Sequence, residues 1–295
     1  MSDPIGHLID SQAKVLANCL HWLPLDLPGD LANLEWPVAV LGEGPPLLML
    51  HGFDSSFLEF RRLAPLLTKE NQLWIPDLCG FGFCPRPLNV NYNPELVLTH
   101  LEALIAQIQL KQPNAPLGVI GASMGGAVAV ALSRRLENRN PGWLNRMLLL
   151  APAGINGKPM PLPPLLDKLG VAFLRLPAVR KGLCRQAFAN PNNSVGPGEE
   201  EIASLHLKTP GWSKALASFA RSGGFAGVGT PPPAISLQVL WGANDRILVA
   251  KQQKAAAALL GDYCMELANC GHLPHLDQPA LVADHWQNLH PTAQR

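Results

Sequence analysis

The stretch Leu117-Gly-Val-Ile120, then Gly121-Ala-Ser123-Met-Gly125-Gly126, then Ala127-Val-Ala-Val-Ala-Leu132, decides how the rest of the chain is read. Val119 and Ile120 are the β-branched residues of a buried strand, and the alanine-rich run from Ala127 to Leu132 suits a packed helix. Between them Gly121 and Gly125 bracket one hydroxyl, Ser123, at the apex of a sharp turn. Small neighbours let strand and helix approach closely while the serine takes a strained backbone. A bare Gly-x-Ser-x-Gly is also compatible with a plain glycine-rich turn, so its surroundings carry the weight.

Upstream, Leu47-Leu-Met-Leu50 is a continuous apolar run of the kind found in buried parallel strands, and it ends at His51-Gly52-Phe53-Asp54-Ser55-Ser56. Ser56 and Glu59 have capping-box spacing ahead of Phe60 and the Leu63–Leu67 stretch. Leu73-Trp-Ile75 predicts another strand, and residues 94–110 place Leu96, Leu101, Leu104, Ile105 and Ile108 on one helix face. Met147-Leu-Leu-Leu150 follows as a further strand. Strand, helix and strand alternate as a doubly wound parallel sheet demands. Residues 34–41 predict an edge strand because Pro37 lacks a ladder donor. Helical spacing of Leu8, Ile9, Ala13, Leu16 and Leu20 predicts an amphipathic helix over residues 5–22, which packs on the core in the simplest reading.

The alternation breaks between Ile155 and Pro233, where prolines punctuate helical segments around residues 165–189 and 199–220. Phe173, Leu174, Leu176, Phe188, Trp212 and Phe219 exceed what isolated helices need. They are expected to pack this segment on the core, with some lining a cavity over Ser123. Ser222-Gly223-Gly224 and Gly227-Val-Gly229 are candidate hinges. Strand character returns at Ile235–Trp241, which runs into Gly242-Ala-Asn-Asp245, and Met265–Ala268 precedes Asn269-Cys-Gly-His272-Leu-Pro-His275-Leu-Asp277.

Taken together, the loop after Leu50, the Ser123 turn, the Asp245 loop and the His272 loop resemble the α/β-hydrolase superfamily, in its serine-nucleophile esterase/lipase-like branch with an inserted helical lid. The resemblance covers most of the chain outside residues 155–233. It implies an α/β fold with a doubly wound, mostly parallel sheet and a helical cap, divided as core 1–154, cap 155–233 and core 234–295. It further implies Ser123 as nucleophile, His272 as base, Asp245 as the acid that orients it, and the backbone N–H groups of Phe53 and Met124 as oxyanion donors. Pro76-Asp77-Leu-Cys79-Gly80-Phe-Gly82 matches a recurrent loop of the family, except that Cys79 stands where proline is usual. Asp77 is read as structural there. Asp54 and Asp77 precede the nucleophile and Asp277 lies at a helix entry, which leaves them as weaker alternatives for the acid. His275 is the alternative base, read as capping or packing, and His51 as shaping the oxyanion turn.

The 295 residues are long enough for one large α/β domain with an insertion, and 47% hydrophobic content supports a substantial core. A net charge of +1 with no basic or acidic block argues against nucleic acid as partner. The N-terminus lacks a signal-peptide pattern, no apolar run approaches the ~20 residues of a membrane span, and the six scattered cysteines are expected to be free thiols. The expectation is a cytoplasmic enzyme without metal or organic cofactor, acting on a small-molecule, largely apolar ester, with peripheral membrane contact and oligomeric state left open. A C–C bond hydrolase or acyltransferase would use the same residues, and a ligand receptor on the same fold is the non-enzymatic alternative.

Overall fold

The computed structural model describes residues 6–291. Eight strands form one sheet: β1 Leu20–Pro24, β2 Glu35–Leu41, β3 Pro46–Leu50, β4 Gln72–Pro76, β5 Leu117–Ala122, β6 Leu144–Leu150, β7 Ser236–Gly242 and β8 Cys264–Leu267. Their spatial order is β1-β2-β4-β3-β5-β6-β7-β8; β2 runs antiparallel to both its neighbours and all the other pairs are parallel. The central strands β3 and β5 are buried throughout, which explains their uninterrupted apolar runs.

Successive residues of a strand point to opposite faces, so each strand feeds two cores. In β3, Leu48 and Leu50 join one cluster while Leu47 and Met49 join the other. The first cluster is covered by α3 Pro94–Lys111, α4 Met124–Arg139 and α10 Ala250–Leu260, and the second by α1 Ser11–Ala17, α2 Ala64–Leu67 and α12 Pro279–Asn288. Helices on both faces make the sheet doubly wound, as expected. Between β6 and β7 lie α5 Leu166–Leu174, α6 Pro177–Ala187, α7 Pro191–Ser194, α8 Pro197–Leu205 and α9 Trp212–Ser222, without an intervening strand. The short α11 Pro274–Asp277 leads into α12.

Two N-terminal expectations are corrected. The helical pattern over residues 5–22 yields only α1, with Asp10 as N-cap accepting from the Ala13 N–H; Leu20–Pro24 is β1, and Ile5 lies outside the described residues. Pairing with β2 overrides the helical spacing there. For the same reason β2 is not an edge: Pro37 faces Trp22 of β1, and its carbonyl accepts from the Asp77 N–H at 3.1 Å. All six cysteines are free. Among the described residues no helix is long and apolar enough to cross a membrane.

Candidate active site

Ser123 sits between the last residue of β5 and the first of α4 with φ 51° and ψ −118°, a conformation costly for a residue bearing Cβ. The surroundings enforce it. The Ser123 N–H donates to Leu150 O at 2.8 Å, and its carbonyl accepts from Gly126 at 2.9 Å and Ala153 at 3.0 Å. The flanking glycines are there for space: a Cβ at Gly121 would lie 2.4 Å from Gly125 O, and one at Gly125 would lie 2.0 Å from Leu50 O. The Met124 N–H opens α4, where the first helical amides lack an intrahelical acceptor.

His272 Nε2 lies 2.8 Å from Ser123 Oγ, and His272 Nδ1 lies 2.8 Å from Asp245 Oδ2. With Nδ1–H donating to the carboxylate, Nε2 is left to accept from the serine hydroxyl. The sequence separations are 149 and 27 residues, so the sheet rather than local structure joins them. Asp245 follows β7, and its Oδ1 accepts from the N–H groups of Ile247 at 2.7 Å and Leu248 at 2.9 Å. Burial alone would raise its pKa, but the His272 hydrogen bond and charge, with those two amides, hold it below the usual carboxylate range. The His272 loop is tied on two sides. Its own N–H donates to Ala187 O at the end of α6, while Asp277 Oδ2 accepts from Gly271 at 2.7 Å and Ala189 at 2.9 Å.

The loop after β3 is organised by buried polar groups. His51 Nδ1 lies 2.7 Å from Gly52 O and its Nε2 accepts from the Leu78 N–H at 2.9 Å; burial pushes its pKa down to about 4, which keeps the ring neutral near pH 7. Glu59 accepts from the Gly52 N–H at 3.2 and 3.3 Å and lies 3.1 Å from His275 Nε2. The expected capping box is thereby corrected: Ser56 makes no side-chain cap, Asp77 already accepts from the Phe57 N–H at the start of the turn, and Glu59 turns inward to the buried amide of Gly52. Among the described residues the Phe53 N–H and the Met124 N–H have no protein acceptor. The exposed Phe53 ring packs edge-on to Phe81 at 5.7 Å and beside Phe219 of α9 at 6.2 Å, an apolar wall next to Ser123's turn.

Asp54, the next residue, is buried with φ 51°. Its Oδ2 pairs with Arg180 Nη1 of α6 at 2.5 Å, and its Oδ1 accepts from Trp212 Nε1 of α9 at 2.8 Å and lies 3.0 Å from His206 Nε2. Burial works against its charge, yet the His206 contacts, Arg180 and Trp212 keep its pKa low. Asp54 is thus a tie between the β3 loop and the inserted helices, a role that sequence reading missed because its partners lie 126 to 158 residues away. Asp77 links Phe57 N–H at 2.6 Å to Phe83 N–H at 2.5 Å within its loop, and His275 packs on Phe60 at 5.1 Å. Neither approaches the Ser123–His272 pair through a hydrogen bond. Of the inserted apolar residues, Phe188, Trp212 and Phe219 are buried, whereas Phe173 and Leu176 are exposed, which corrects the expectation that all of them pack the segment on the core.

A family model described as the alpha/beta hydrolase family matches residues 47–285. The chain belongs to that family. This hydrolase is 27% identical over 296 residues to the alpha/beta hydrolase domain-containing protein VTE7 of Arabidopsis thaliana, covering 93% of the chain and 84% of that protein. It is 25% identical over 257 residues to the 2-hydroxymuconate semialdehyde hydrolase of Pseudomonas sp. strain CF600, covering 82% and 85%. A solved membrane phospholipase A, a bacterial virulence factor, superposes with a TM-score of 0.71 over 94% of the chain and 91% of its own, at 23% identity, a likeness of fold.

Proposed function

We propose that this alpha/beta hydrolase cleaves carboxylic esters of largely apolar acyl groups through an acyl-enzyme on Ser123. The observation that carries the reading is the Ser123–His272–Asp245 relay, with both contacts at 2.8 Å. Serine is a weak nucleophile until a base within hydrogen-bond reach takes its proton. His272 Nε2 takes it as Oγ attacks the ester carbonyl, and Asp245 stabilises the imidazolium without itself becoming protonated. The carbonyl oxygen, now negative, turns to the Phe53 and Met124 N–H groups, each worth about 3 kcal/mol in such sites. His272 then returns the proton to the departing alkoxide, and a water molecule activated by the same ring hydrolyses the acyl-enzyme. The helices between β6 and β7 act as a cap, since Phe219 over Phe53 gives the acyl chain an apolar wall.

The kinship with 2-hydroxymuconate semialdehyde hydrolase supports a second reading, hydrolysis of a C–C bond by the same three residues. The ester reading is preferred because Arg180, the cation paired to the β3 loop, is neutralised by Asp54 rather than offered to an anionic substrate. A fluorescent fluorophosphonate and p-nitrophenyl esters of graded acyl length test it, against Ser123→Ala. Labelling and turnover that vanish together in the variant are expected. A folded protein that labels but prefers a 2-hydroxy-6-oxo-dienoate to every ester would favour the second reading, and one that does not label would defeat both.

A further inference from the structure

The inserted helices carry an apolar surface that no part of the described chain covers. Within α5, Leu166, Leu169 and Phe173 recur at intervals of three and four, so they share one face, and they are 54%, 57% and 59% exposed; Leu165 at the N-cap and Leu176 just past the C-cap extend the apolar surface at 66% and 52%. The opposite face buries Asp167 and Val171 and packs on α9. Single exposed leucines are ordinary on a protein surface, but a continuous stripe of large side chains marks a contact surface.

Charge selects what that contact is. From Ile155 to Gly196 the chain has six cations, Lys158, Lys168, Arg175, Arg180, Lys181 and Arg185, and one anion, Asp167. Asp167 is buried and paired with Arg221, Arg180 is taken by Asp54 and Lys181 by Glu200. Lys158, Lys168 and Arg175 are exposed and have no acidic partner among the described residues. Lys168 and Arg175, seven residues apart, run along one edge of the apolar stripe. A bilayer with anionic headgroups satisfies both features: the apolar arc enters the headgroup–acyl boundary while the long cationic side chains reach back to phosphates.

We propose that the α5 face docks this hydrolase on membranes rich in anionic lipid. Because α5 packs on α9, whose Phe219 lies beside Phe53, docking brings the Ser123 site close to the lipid surface. That the substrate is then an ester drawn from the bilayer rests on the serine-hydrolase reading; the docking itself does not.

The test is sedimentation with sucrose-loaded vesicles, one set of phosphatidylcholine alone and one of equal parts phosphatidylcholine and phosphatidylglycerol. Both the wild type and Ser123→Ala are expected to bind the anionic vesicles and to leave them at ~1 M salt, where charges are screened beyond about 3 Å. Lys168→Gln with Arg175→Gln should weaken binding roughly 25-fold, about five-fold per charge. Leu169→Glu with Phe173→Glu should weaken it roughly ten-fold or more, and both double variants should keep wild-type turnover of a soluble p-nitrophenyl ester. No binding by folded wild type, or equal binding to both vesicle sets, overturns the proposal. A dimer in light scattering that Leu169→Glu with Phe173→Glu dissociates would also overturn it by assigning the face to a second copy. Vesicle binding without ester turnover in the wild type would leave docking standing and remove the ester reading.

Discussion

Replacing Asp54 with alanine strands three donors at once: Arg180 Nη1, Trp212 Nε1 and the His206 ring. The Asp54 and Arg180 side chains are 5% and 10% exposed, so the arginine would be left charged in a site that water barely reaches. Removing one partner of such a pair costs about 3–5 kcal/mol, a large share of the ~5–15 kcal/mol that holds a typical domain together. Alanine also fits the φ of 51° poorly, whereas asparagine tolerates that region and keeps an acceptor for Trp212. Asp54→Ala is therefore expected to lose about 4 kcal/mol and Asp54→Asn roughly half of that. Urea unfolding followed by tryptophan fluorescence reads the difference. Because Asp54 directly follows Phe53, the fluorophosphonate labelling rate of the folded fraction should fall too, by up to ~10²-fold if the Phe53 N–H is displaced. An Asp54→Ala protein within about 1 kcal/mol of wild type, labelling at the wild-type rate, would refute the reasoning: the loop and the inserted helices would then be held by other contacts.

Three further outcomes can be checked independently. Asp245→Asn should lower kcat for p-nitrophenyl esters by about 10³ to 10⁴ near neutral pH, since it disturbs the His272 tautomer. Gly125→Ala should cost about 2–3 kcal/mol or more in thermal denaturation, because its Cβ meets the Leu50 and His51 carbonyls; Gly182→Ala in α6, where nothing lies within 4 Å, should be neutral or stabilising by up to ~1 kcal/mol. Glu59 is buried, which opposes its charge, but His275 and His51 bring its pKa down to about 2. A depressed folded-state pKa contributes stability that is complete above the unfolded value of 4.5 and lost as the pH falls toward 2, a change of up to about 3 kcal/mol. Urea midpoints at about pH 5 and about pH 3 should differ strongly in wild type and much less in Glu59→Gln; equal slopes would show that other groups govern the acid limb.

The parts of the fold that were legible in the sequence are those whose cause is local. Val119 to Leu132 codes its own strand, turn and helix, and Leu47–Leu50 and Met147–Leu150 are apolar throughout because both faces of a central parallel strand are covered. What could not be read depends on distant partners. Leu20–Pro24 continues the helical spacing of Leu16 and becomes a strand only by pairing with β2, and Pro37 looks like an edge residue until β1 is seen beside it. Glu59 has a local capping pattern that a buried amide overrides. Phe173 and Phe188 are equally apolar in sequence, yet one faces out and the other in. In the candidate site, the loops bearing Ser123, Asp245 and His272 were visible as motifs, but the Asp54 tie was not, since no periodicity links residue 54 to residues 180, 206 and 212.

The wide spacing of the relay has a consequence for the protein's birth on the ribosome. The 149 residues between Ser123 and His272 take roughly 7–30 s to synthesise at about 5–20 residues per second. During that interval β3, β4, β5 and β6 can already pair, so the strained serine turn exists while its base is still untranslated. On the proposed relay, the nascent chain would carry a shaped but unactivated hydroxyl until β7 and β8 close that edge of the sheet.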